Sequence, residues 1–239
     1  MEPLNDWVKS SEVQRLKLLT MQELCEREFY RDICRSITAN RQQLLAPADG
    51  IILYAKQVES SQEIVAIKDE RLSVNDLLMM PEISGSFIVI GIFMSFLDVH
   101  VNRMPSDGIL TYKRLPALTT ENLSMVQIEK AILQGGEHKT DDLEYLFKNA
   151  RVLNRVWSLD LDRAYYMVQI ADLEVDVIAH FYETGSLLSQ GDRFAVVRSG
   201  SQVDLIIPLK KGEKVNILAK ELYHVKAGED VLVEFGSIA

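Results

Sequence analysis

The chain contains 239 residues, of which 47% are hydrophobic and 26% are charged, and its formal net charge is -9. This length and composition are typical of a soluble globular protein with one large domain, or with a domain and an appended helical piece. The negative charge argues against nucleic acid as a partner and against broad electrostatic attraction to anionic lipids.

The first part of the chain, residues 1–45, is predicted to be a helical segment that precedes a larger domain of residues 46–239. The opening stretch, Met1 to Trp7, is polar and acidic, unlike the basic start of a signal peptide. From Ser10 or Ser11 to Ile37, apolar residues recur at helical spacing behind a serine cap, with charged residues on the opposite face. Three roles are open to this amphipathic helix: packing on the domain, lying on a membrane surface, or forming a dimer contact.

The two cysteines, Cys25 and Cys34, fall within this predicted helix and are nine residues apart. Nine residues of helix span about 13 Å, which is too far for a disulfide bond or a shared metal ion. We therefore expect two reduced cysteines in a cytoplasmic protein.

After Pro47 the apolar pattern changes from the helical period to the strand period. Strands are predicted at Ile51 to Tyr54 and near Ile64 to Ile67, followed by a short helix from Leu72 to Leu78. The longest apolar run, Phe87 to Leu97, would span only about 16 Å as a helix, about half a bilayer core. We interpret it as a buried strand and not as a membrane span.

The middle of the chain, from about Thr119 to Trp157, is predicted to be more helical. Thr140-Asp141-Asp142 can cap a helix that carries Leu143, Leu146 and Phe147 on one face. Strands are then predicted at Ala164 to Ile170 and at Val175 to Ala179.

Three turn signatures follow, each with a glycine and an acidic residue before an apolar strand: Gln190-Gly191-Asp192, Lys211-Gly212-Glu213 and Ala227-Gly228-Glu229. This pattern is typical of β-hairpins. The predicted fold is therefore α+β. It is mainly a β-barrel or sandwich of short strands, with the N-terminal helical segment and a helical insertion in the middle.

The dipeptide Gly200-Ser201 is a candidate site of backbone cleavage. Gly-Ser pairs also occur at residues 85, 185 and 236, and turns are rich in both residues. Only at Ser201 is the pair followed by a strand pattern, Val203, Leu205 and Ile207, with further strands after it. A serine that attacks the carbonyl of the preceding residue benefits from a glycine there, which has no Cβ.

Such an attack needs a base, and a histidine oriented by a carboxylate is a common solution. His100, at the end of the long apolar strand, and Asp49, before Gly50, can supply these groups. Each also has an ordinary structural interpretation, His100 as a hydrogen-bonded core residue and Asp49 as part of a common Asp-Gly turn. His138, His180 and His224 lack comparable neighbours in the sequence.

Three motifs together resemble the phosphatidylserine decarboxylase family, whose members cut themselves at a Gly-Ser bond and convert the serine into a pyruvoyl group. The motifs are Ala48-Asp49-Gly50, His100-Val101-Asn102-Arg103-Met104-Pro105 and Gly200-Ser201-Gln202-Val203-Asp204. The second is similar to the short, soluble-type branch of the family, whereas Leu72 to Leu78 is more similar to the longer branch. In the longer branch a second histidine stands where this chain has Arg103.

The resemblance implies that Asp49, His100 and Ser201 are the orienting acid, the base and the pyruvoyl precursor. It also implies cleavage into a β chain of residues 1–200 and an α chain of residues 201–239 that stay associated. The expected reaction is the decarboxylation of phosphatidylserine to phosphatidylethanolamine, with the pyruvoyl group as cofactor and with no metal ion. Asn102 and Arg103 are candidate substrate-binding residues, although they can also simply hold a loop.

Two alternatives stay open at this point. The same chemistry can act on a soluble amino acid, or the chain can be a degenerate relative that never cleaves and acts as a binding module. An aminophospholipid substrate predicts a cytoplasmic protein that touches the membrane surface, and we expect a homo-oligomer and no nucleic acid partner.

Overall fold

Seventeen strands and six short α-helices lie in the part of the chain that the computed structural model describes, residues 1–31, 33–38, 40–67, 70–115, 122–134, 143–173, 178–197 and 201–236. The strands are β1 (Glu2–Pro3), β2 (Gln43–Leu45), β3 (Gly50–Glu59), β4 (Glu63–Ile67), β5 (Glu70–Ser73), β6 (Ser86–Met94), β7 (Val101–Arg103), β8 (Gly108–Leu115), β9 (Arg151–Ser158), β10 (Arg163–Ala171), β11 (Ile178–His180), β12 (Ser186–Leu188), β13 (Arg193–Val197), β14 (Ser201–Pro208), β15 (Val215–Ile217), β16 (Tyr223–Val225) and β17 (Val231–Phe235). The helices are α1 (Leu4–Trp7), α2 (Ser11–Leu16), α3 (Met21–Glu23), α4 (Val74–Leu78), α5 (Val126–Leu133) and α6 (Tyr145–Lys148).

A central antiparallel sheet of nine strands organises the fold. Its order is β1-β16-β3-β6-β14-β10-β9-β8-β12, and two three-stranded sheets, β11-β13-β7 and β15-β17-β2, accompany it together with the pair β4-β5. The central sheet has free edges at β1 and β12. The described strands therefore do not close into a barrel. The prediction of a mainly β protein with few helices is confirmed, and the barrel alternative is wrong.

The central sheet buries both of its faces. Side chains of successive strand residues point to opposite faces, so in β14 Ile206 joins one apolar core while Leu205 and Ile207 join another. The first core contains the buried side chains of the helices, including Leu16, and the second contains those of the three-stranded sheets, including Phe194. This explains why β6 is apolar on both faces.

The N-terminal helix is shorter than predicted and broken. Ser10 caps α2, and Thr20 caps α3, which continues into a π-helical turn at Leu24–Glu28. The described residues from Arg31 to Thr38 are not helical, so the prediction of one helix as far as Ile37 is wrong beyond this turn. Here tertiary contacts override the local helical pattern, because this segment contacts the start of β3, where Arg35 bonds to Asp49.

The strand predictions are largely confirmed, whereas the three predicted hairpins are wrong. Gly191, Gly212 and Gly228 do lie in turns and have positive φ angles of 84°, 76° and 74°. The strands on either side of each turn, however, pair with other strands of the described fold and not with each other. A turn signature fixes where the chain reverses but leaves the pairing partner to long-range packing.

The middle of the chain forms α5 and α6, and Leu143 and Leu146 are buried in the helix-side core. The predicted cap, Thr140-Asp141-Asp142, lies outside the described residues, as do the first residues of the strand predicted at Val175 to Ala179. None of the helices in the described ranges is long and apolar enough to cross a membrane.

Candidate active site

Asp49 and Ser201 lie at the same end of three neighbouring strands. The register pairs Ile51 of β3 with Phe93 of β6, and Phe93 with Gln202 of β14. Asp49 lies two residues before Ile51, and Ser201 lies one residue before Gln202. Both therefore stand at the same end of these strands. Two strand spacings separate their backbones across the sheet, on the order of 10 Å.

Gly50 brings β3 close to β6 directly beside Asp49. Its φ angle is 156°, and a Cβ at this position would lie 2.3 Å from the carbonyl oxygen of Phe93. A side chain would therefore push the two strands apart. Close backbone packing therefore requires a glycine at position 50.

His100 reaches the same region from the turn that follows β6. Its carbonyl oxygen accepts a 3.1 Å hydrogen bond from the backbone N–H of Val197, which is four residues before Ser201. Four extended residues span at most about 14 Å. Gly200, and with it the Gly200–Ser201 bond, lies outside the described residues.

The imidazole of His100 is held at one nitrogen and unpaired at the other. Nδ1 lies 3.0 Å from the carbonyl oxygen of Asp98, while Nε2 is buried without a hydrogen-bond partner. Burial lowers the pKa of His100 to about 4, so the ring is neutral at pH 7. A carbonyl can only accept, so Nδ1 carries the proton and Nε2 keeps its lone pair. That nitrogen is available as a base.

The aromatic ring of Phe29 covers His100, with 4.5 Å between the ring centroids. The backbone N–H of His100 also donates a 2.8 Å hydrogen bond to the carbonyl oxygen of Phe29. The N-terminal segment is therefore part of the site and shields its histidine from solvent.

Ser201 begins β14 and is completely buried. It pairs with Met94 and Ala171 on the two neighbouring strands, and among the residues that the structure describes its Oγ has no hydrogen-bond partner. Leaving a buried hydroxyl unpaired costs roughly 1–3 kcal/mol, and such groups in native proteins often have a chemical role. An unpaired hydroxyl is suited to act as a nucleophile. The side chain of Ser201 is also free to be converted into a group attached at this position.

Both carboxylate oxygens of Asp49 have partners in the described structure. Arg35 donates a 2.7 Å hydrogen bond to Oδ2, and the backbone N–H of Ala227 donates a 2.7 Å bond to Oδ1. Burial raises the pKa of Asp49, and Arg35 opposes this rise. The partner of His100 Nδ1 is the carbonyl of Asp98, so the orienting role of Asp49 stays a prediction.

Asn102 and Arg103 are held by protein groups. The amide of Asn102 accepts a 2.6 Å hydrogen bond from Gln169 and donates a 3.4 Å bond to the sulfur of Met94, the residue paired with Ser201. Arg103 donates to the carbonyl oxygens of Gly191 and Ile33, at 2.9 and 3.4 Å. These contacts support the loop around the site, and substrate binding by either residue stays a prediction.

Comparison with known families decides the assignment of the chain. A family model described as phosphatidylserine decarboxylase matches residues 22–233. The chain belongs to the phosphatidylserine decarboxylase family. The prediction from the three motifs is confirmed, and with it the assignment to the carboxy-lyases.

Relatives in this family match most of the chain. A protein of Amoebophilus asiaticus named phosphatidylserine decarboxylase proenzyme is 26% identical over 219 residues, covering 87% of this chain and 75% of the relative. One of Chlorobium limicola with the same name is 28% identical, covering 87% and 77%. A putative archaetidylserine decarboxylase proenzyme of Methanocaldococcus jannaschii is 30% identical, covering 85% and 86%.

The sequence motifs do not single out three residues of this site, Arg35, Asp98 and His224. Arg35 is one of the charged residues of the predicted amphipathic helix, Asp98 lies two residues before His100, and His224 lacks comparable neighbours in the sequence. The structure pairs His224 Nε2 with Asp98 Oδ1 at 2.6 Å. The position of Asp98, two residues before His100, was a signal, but its partner is 126 residues away.

Proposed function

We propose that this chain is the precursor of a phosphatidylserine decarboxylase that cuts itself between Gly200 and Ser201. The observation that carries the proposal is the pair of buried, unpartnered atoms, Nε2 of His100 and Oγ of Ser201. A neutral imidazole nitrogen and a hydroxyl are the base and nucleophile that self-cleavage requires. The name proenzyme carried by the relatives is in keeping with a precursor that is processed.

In the proposed cleavage, Nε2 of His100 takes the proton of Ser201 as Oγ attacks the carbonyl carbon of Gly200. The amide bond becomes an ester. Elimination then removes the proton from Cα of residue 201, forms a double bond between Cα and Cβ, breaks the bond between Cβ and Oγ, and releases the carboxylate of Gly200. Hydrolysis of the remaining unsaturated residue consumes one water molecule and releases one ammonia molecule, which leaves a pyruvoyl group at residue 201.

The surroundings of Ser201 fit such a group. Position 201 is buried between Met94 and Ala171, two apolar neighbours that exclude water. A pyruvoyl group supplies a carbonyl that accepts a substrate amine and draws electrons from the carboxylate to be lost. The chain's own contribution is to bind the substrate, keep the site dry and provide the neutral base.

The proposed substrate is an aminophospholipid with a serine headgroup. A cleft of about 570 Å³ has apolar walls that include Leu72, Met79 and Phe147, and two arginines, Arg71 and Arg151, also line it. Apolar walls beside guanidinium groups suit a molecule that carries both an acyl chain and a phosphate. A free amino acid would use only part of this surface.

Arg151, one of the two arginines of the cleft, lies two strands away from the strand that begins at Ser201. It is 2% exposed, and within the described part of the chain its Nε has no hydrogen-bond partner. The register pairs Arg151 with Ile170 and Ile170 with Gln202. The backbone of Arg151 thus lies about two strand spacings, roughly 10 Å, from the backbone of Gln202, the residue after Ser201.

The two proposed fragments, a β chain of residues 1–200 and an α chain of residues 201–239, would remain together after the cut. Strand β14 lies between β6 and β10, and β16 and β17 pair with β3 and β2. Separating them would break five strand pairs of the described fold, because β16 also pairs with β1, and would expose both cores. The division into a segment of residues 1–45 and a domain of residues 46–239, and the homo-oligomer, stay predictions. A lipid substrate places the proposed enzyme at a membrane surface.

Release of carbon dioxide tests the proposed substrate. Purified protein is mixed either with vesicles that contain phosphatidylserine or with free serine, and Ser201→Ala protein serves as the control. We expect release from the vesicles alone and none with the control. Release from free serine at an equal or higher rate would favour a soluble substrate, and no release from either would favour a binding module.

A further inference from the structure

The turn before His100 is held by a histidine from near the C-terminal end of the sequence. His224, in β16, places Nε2 2.6 Å from Oδ1 of Asp98, and both side chains are buried. The ring of Trp7 stacks on His224, with 4.2 Å between ring centroids and 9° between ring planes. Trp7 therefore holds the ring of His224, and the pairing of β16 with β3 holds its backbone.

Asp98 uses every one of its acceptor atoms in this turn. Oδ2 accepts hydrogen bonds from the backbone N–H and the hydroxyl of Ser95, at 2.8 and 2.7 Å, while Oδ1 faces His224. Its carbonyl oxygen accepts the Nδ1–H of His100. Burial alone would raise the pKa of Asp98, but His224 and Ser95 together lower it. Asp98 is thus a charged hub between His224 and His100.

We infer that His224 is a positioning residue for His100. Through the carboxylate of Asp98, it holds in place the carbonyl that fixes the proton of His100 on Nδ1 and leaves Nε2 free. The functional consequence rests on the proposed self-cleavage, in which Nε2 is the base. After the proposed cut, His224 would belong to residues 201–239 and Asp98 to residues 1–200, so that this bond would join the two fragments beside the site.

Other charged groups face this pair and contribute to the field around it. They come from the N-terminal segment, from the turn before β3 and from the loop after β16: Glu2, Arg31, Arg35, Asp49, Lys226 and Glu229. Arg31 is itself paired with Glu12 at 3.2 Å. These groups have mixed signs, so the field around the pair does not come from charges of one sign.

The test uses the uncut Ser201→Ala precursor, so that it does not depend on cleavage. NMR of the imidazole nitrogens reports the tautomer and the pKa of each histidine. In this background we expect His100 to be a neutral Nδ1–H tautomer. His224→Ala frees Asp98 and admits water to the turn, so we expect the pKa of His100 to rise toward its ordinary value and the two tautomers to mix.

Two further variants separate positioning from simple loss of stability. His224→Gln keeps a side-chain N–H donor and should restore most of the original tautomer and pKa of His100. Leu232→Ala removes buried apolar contacts in β17, the next strand along the chain, without touching Asp98, so it should lower stability and leave His100 unchanged. If His224→Ala behaves like Leu232→Ala, the inference is wrong.

Cleavage kinetics supply the second readout. In protein that retains Ser201, His224→Ala should slow self-cleavage by about 10- to 100-fold, because small misplacements of a catalytic group cost up to about 100-fold in rate. Unchanged cleavage in this variant would contradict the inference. A precursor that shows the expected NMR response but never cuts would instead contradict the proposed function and leave the positioning role standing.

Discussion

Arg35 donates a 2.7 Å hydrogen bond to the carboxylate of Asp49, and both side chains are almost completely buried. This bond joins the N-terminal segment to the residue predicted to orient His100. Breaking a buried ion pair leaves one charge without compensation, at a cost of about 3–5 kcal/mol. We predict that Arg35→Met lowers the free energy of unfolding of the Ser201→Ala precursor by an amount in this range, as measured in urea.

A double-mutant cycle checks the cause of that loss. Arg35→Met combined with Asp49→Asn removes both charges and should recover much of the stability, because no buried charge then lacks its partner. Additive losses in the double variant would show that the two side chains are not coupled. Arg41→Met, which alters a side chain that is 85% exposed, is the matched control and should change stability little.

Removal of the hydroxyl of Ser201 should not destabilise the protein. Oγ bonds nothing in the buried site, so alanine at this position removes an unsatisfied polar group. In a His100→Leu background, which we expect to keep the chain uncut because it removes the proposed base, we predict that Ser201→Ala leaves the melting temperature equal or higher.

The matched control for this prediction is Ser106→Ala in the same background. The hydroxyl of Ser106 is also buried, but it donates a 3.2 Å hydrogen bond to Tyr165. Its removal should cost about 1 kcal/mol. A larger loss for Ser201→Ala than for Ser106→Ala would mean that Ser201 has a structural partner.

Self-cleavage should depend on pH through His100. Because burial lowers the pKa of His100 to about 4, the base is neutral and active at pH 5 to 7, and the rate should fall only as pH approaches 4. Cleavage rates measured on precursor that is still uncut should be the same at every pH between 5 and 7. A rate that halves near pH 6.5 would contradict a buried, neutral base.

The same shift makes a prediction for stability. A histidine with a folded-state pKa below its unfolded value binds more protons when unfolded between pH 4 and 6.5. Stability therefore falls as pH is lowered through that window. The Ser201→Ala precursor should lose more stability between pH 7 and 5 than its His100→Leu derivative. Equal slopes would contradict the low pKa.

Glu129 should titrate in the opposite sense. Its carboxylate accepts a 2.8 Å hydrogen bond from the backbone N–H of Phe96, in the turn that holds Asp98, and burial raises its pKa to about 8. The folded protein thus binds the extra proton, and stability falls as pH rises from 4.5 toward 8. We predict that Glu129→Gln, which cannot ionise, increases stability at pH 8 by on the order of 4 kcal/mol, because the pKa rises from 4.5 to about 8 and one pKa unit is worth about 1.4 kcal/mol.

The measurement for Glu129 is the unfolding free energy at pH 5 and pH 8. The variant and the parent should nearly agree at pH 5 and differ at pH 8. Parallel curves would show that the carboxyl group is already ionised in the folded protein at neutral pH.

Local patterns in the sequence predicted most of the strands and the family. The alternation at Val203, Leu205 and Ile207, and the run from Phe87, correspond to β14 and β6 because both are buried strands with clear apolar signals. The three glycine turns were located correctly by residue type. What failed was the pairing of the strands around them, since pairing is decided by contacts between distant parts of the chain.

The candidate site shows the same division between local and distant information. Motifs in the sequence single out Asp49, His100 and Ser201. The register of β3, β6 and β14 explains why Asp49 and Ser201 lie at the same end of these strands. The bond between Asp98 and His224 joins residues 126 apart in sequence, and the contact of Arg35 with Asp49 requires a helix to end early. No periodicity in the chain predicts either contact.

The intact mass of the purified protein tests the central claim most directly. We predict two fragments divided after residue 200, with the fragment of residues 201–239 lighter by one ammonia molecule than the same peptide beginning with serine, and reactive toward a carbonyl reagent. Ser201→Ala should give one full-length species. A wild-type protein that stays full length, or a fragment that keeps an ordinary serine amino terminus, would contradict the account.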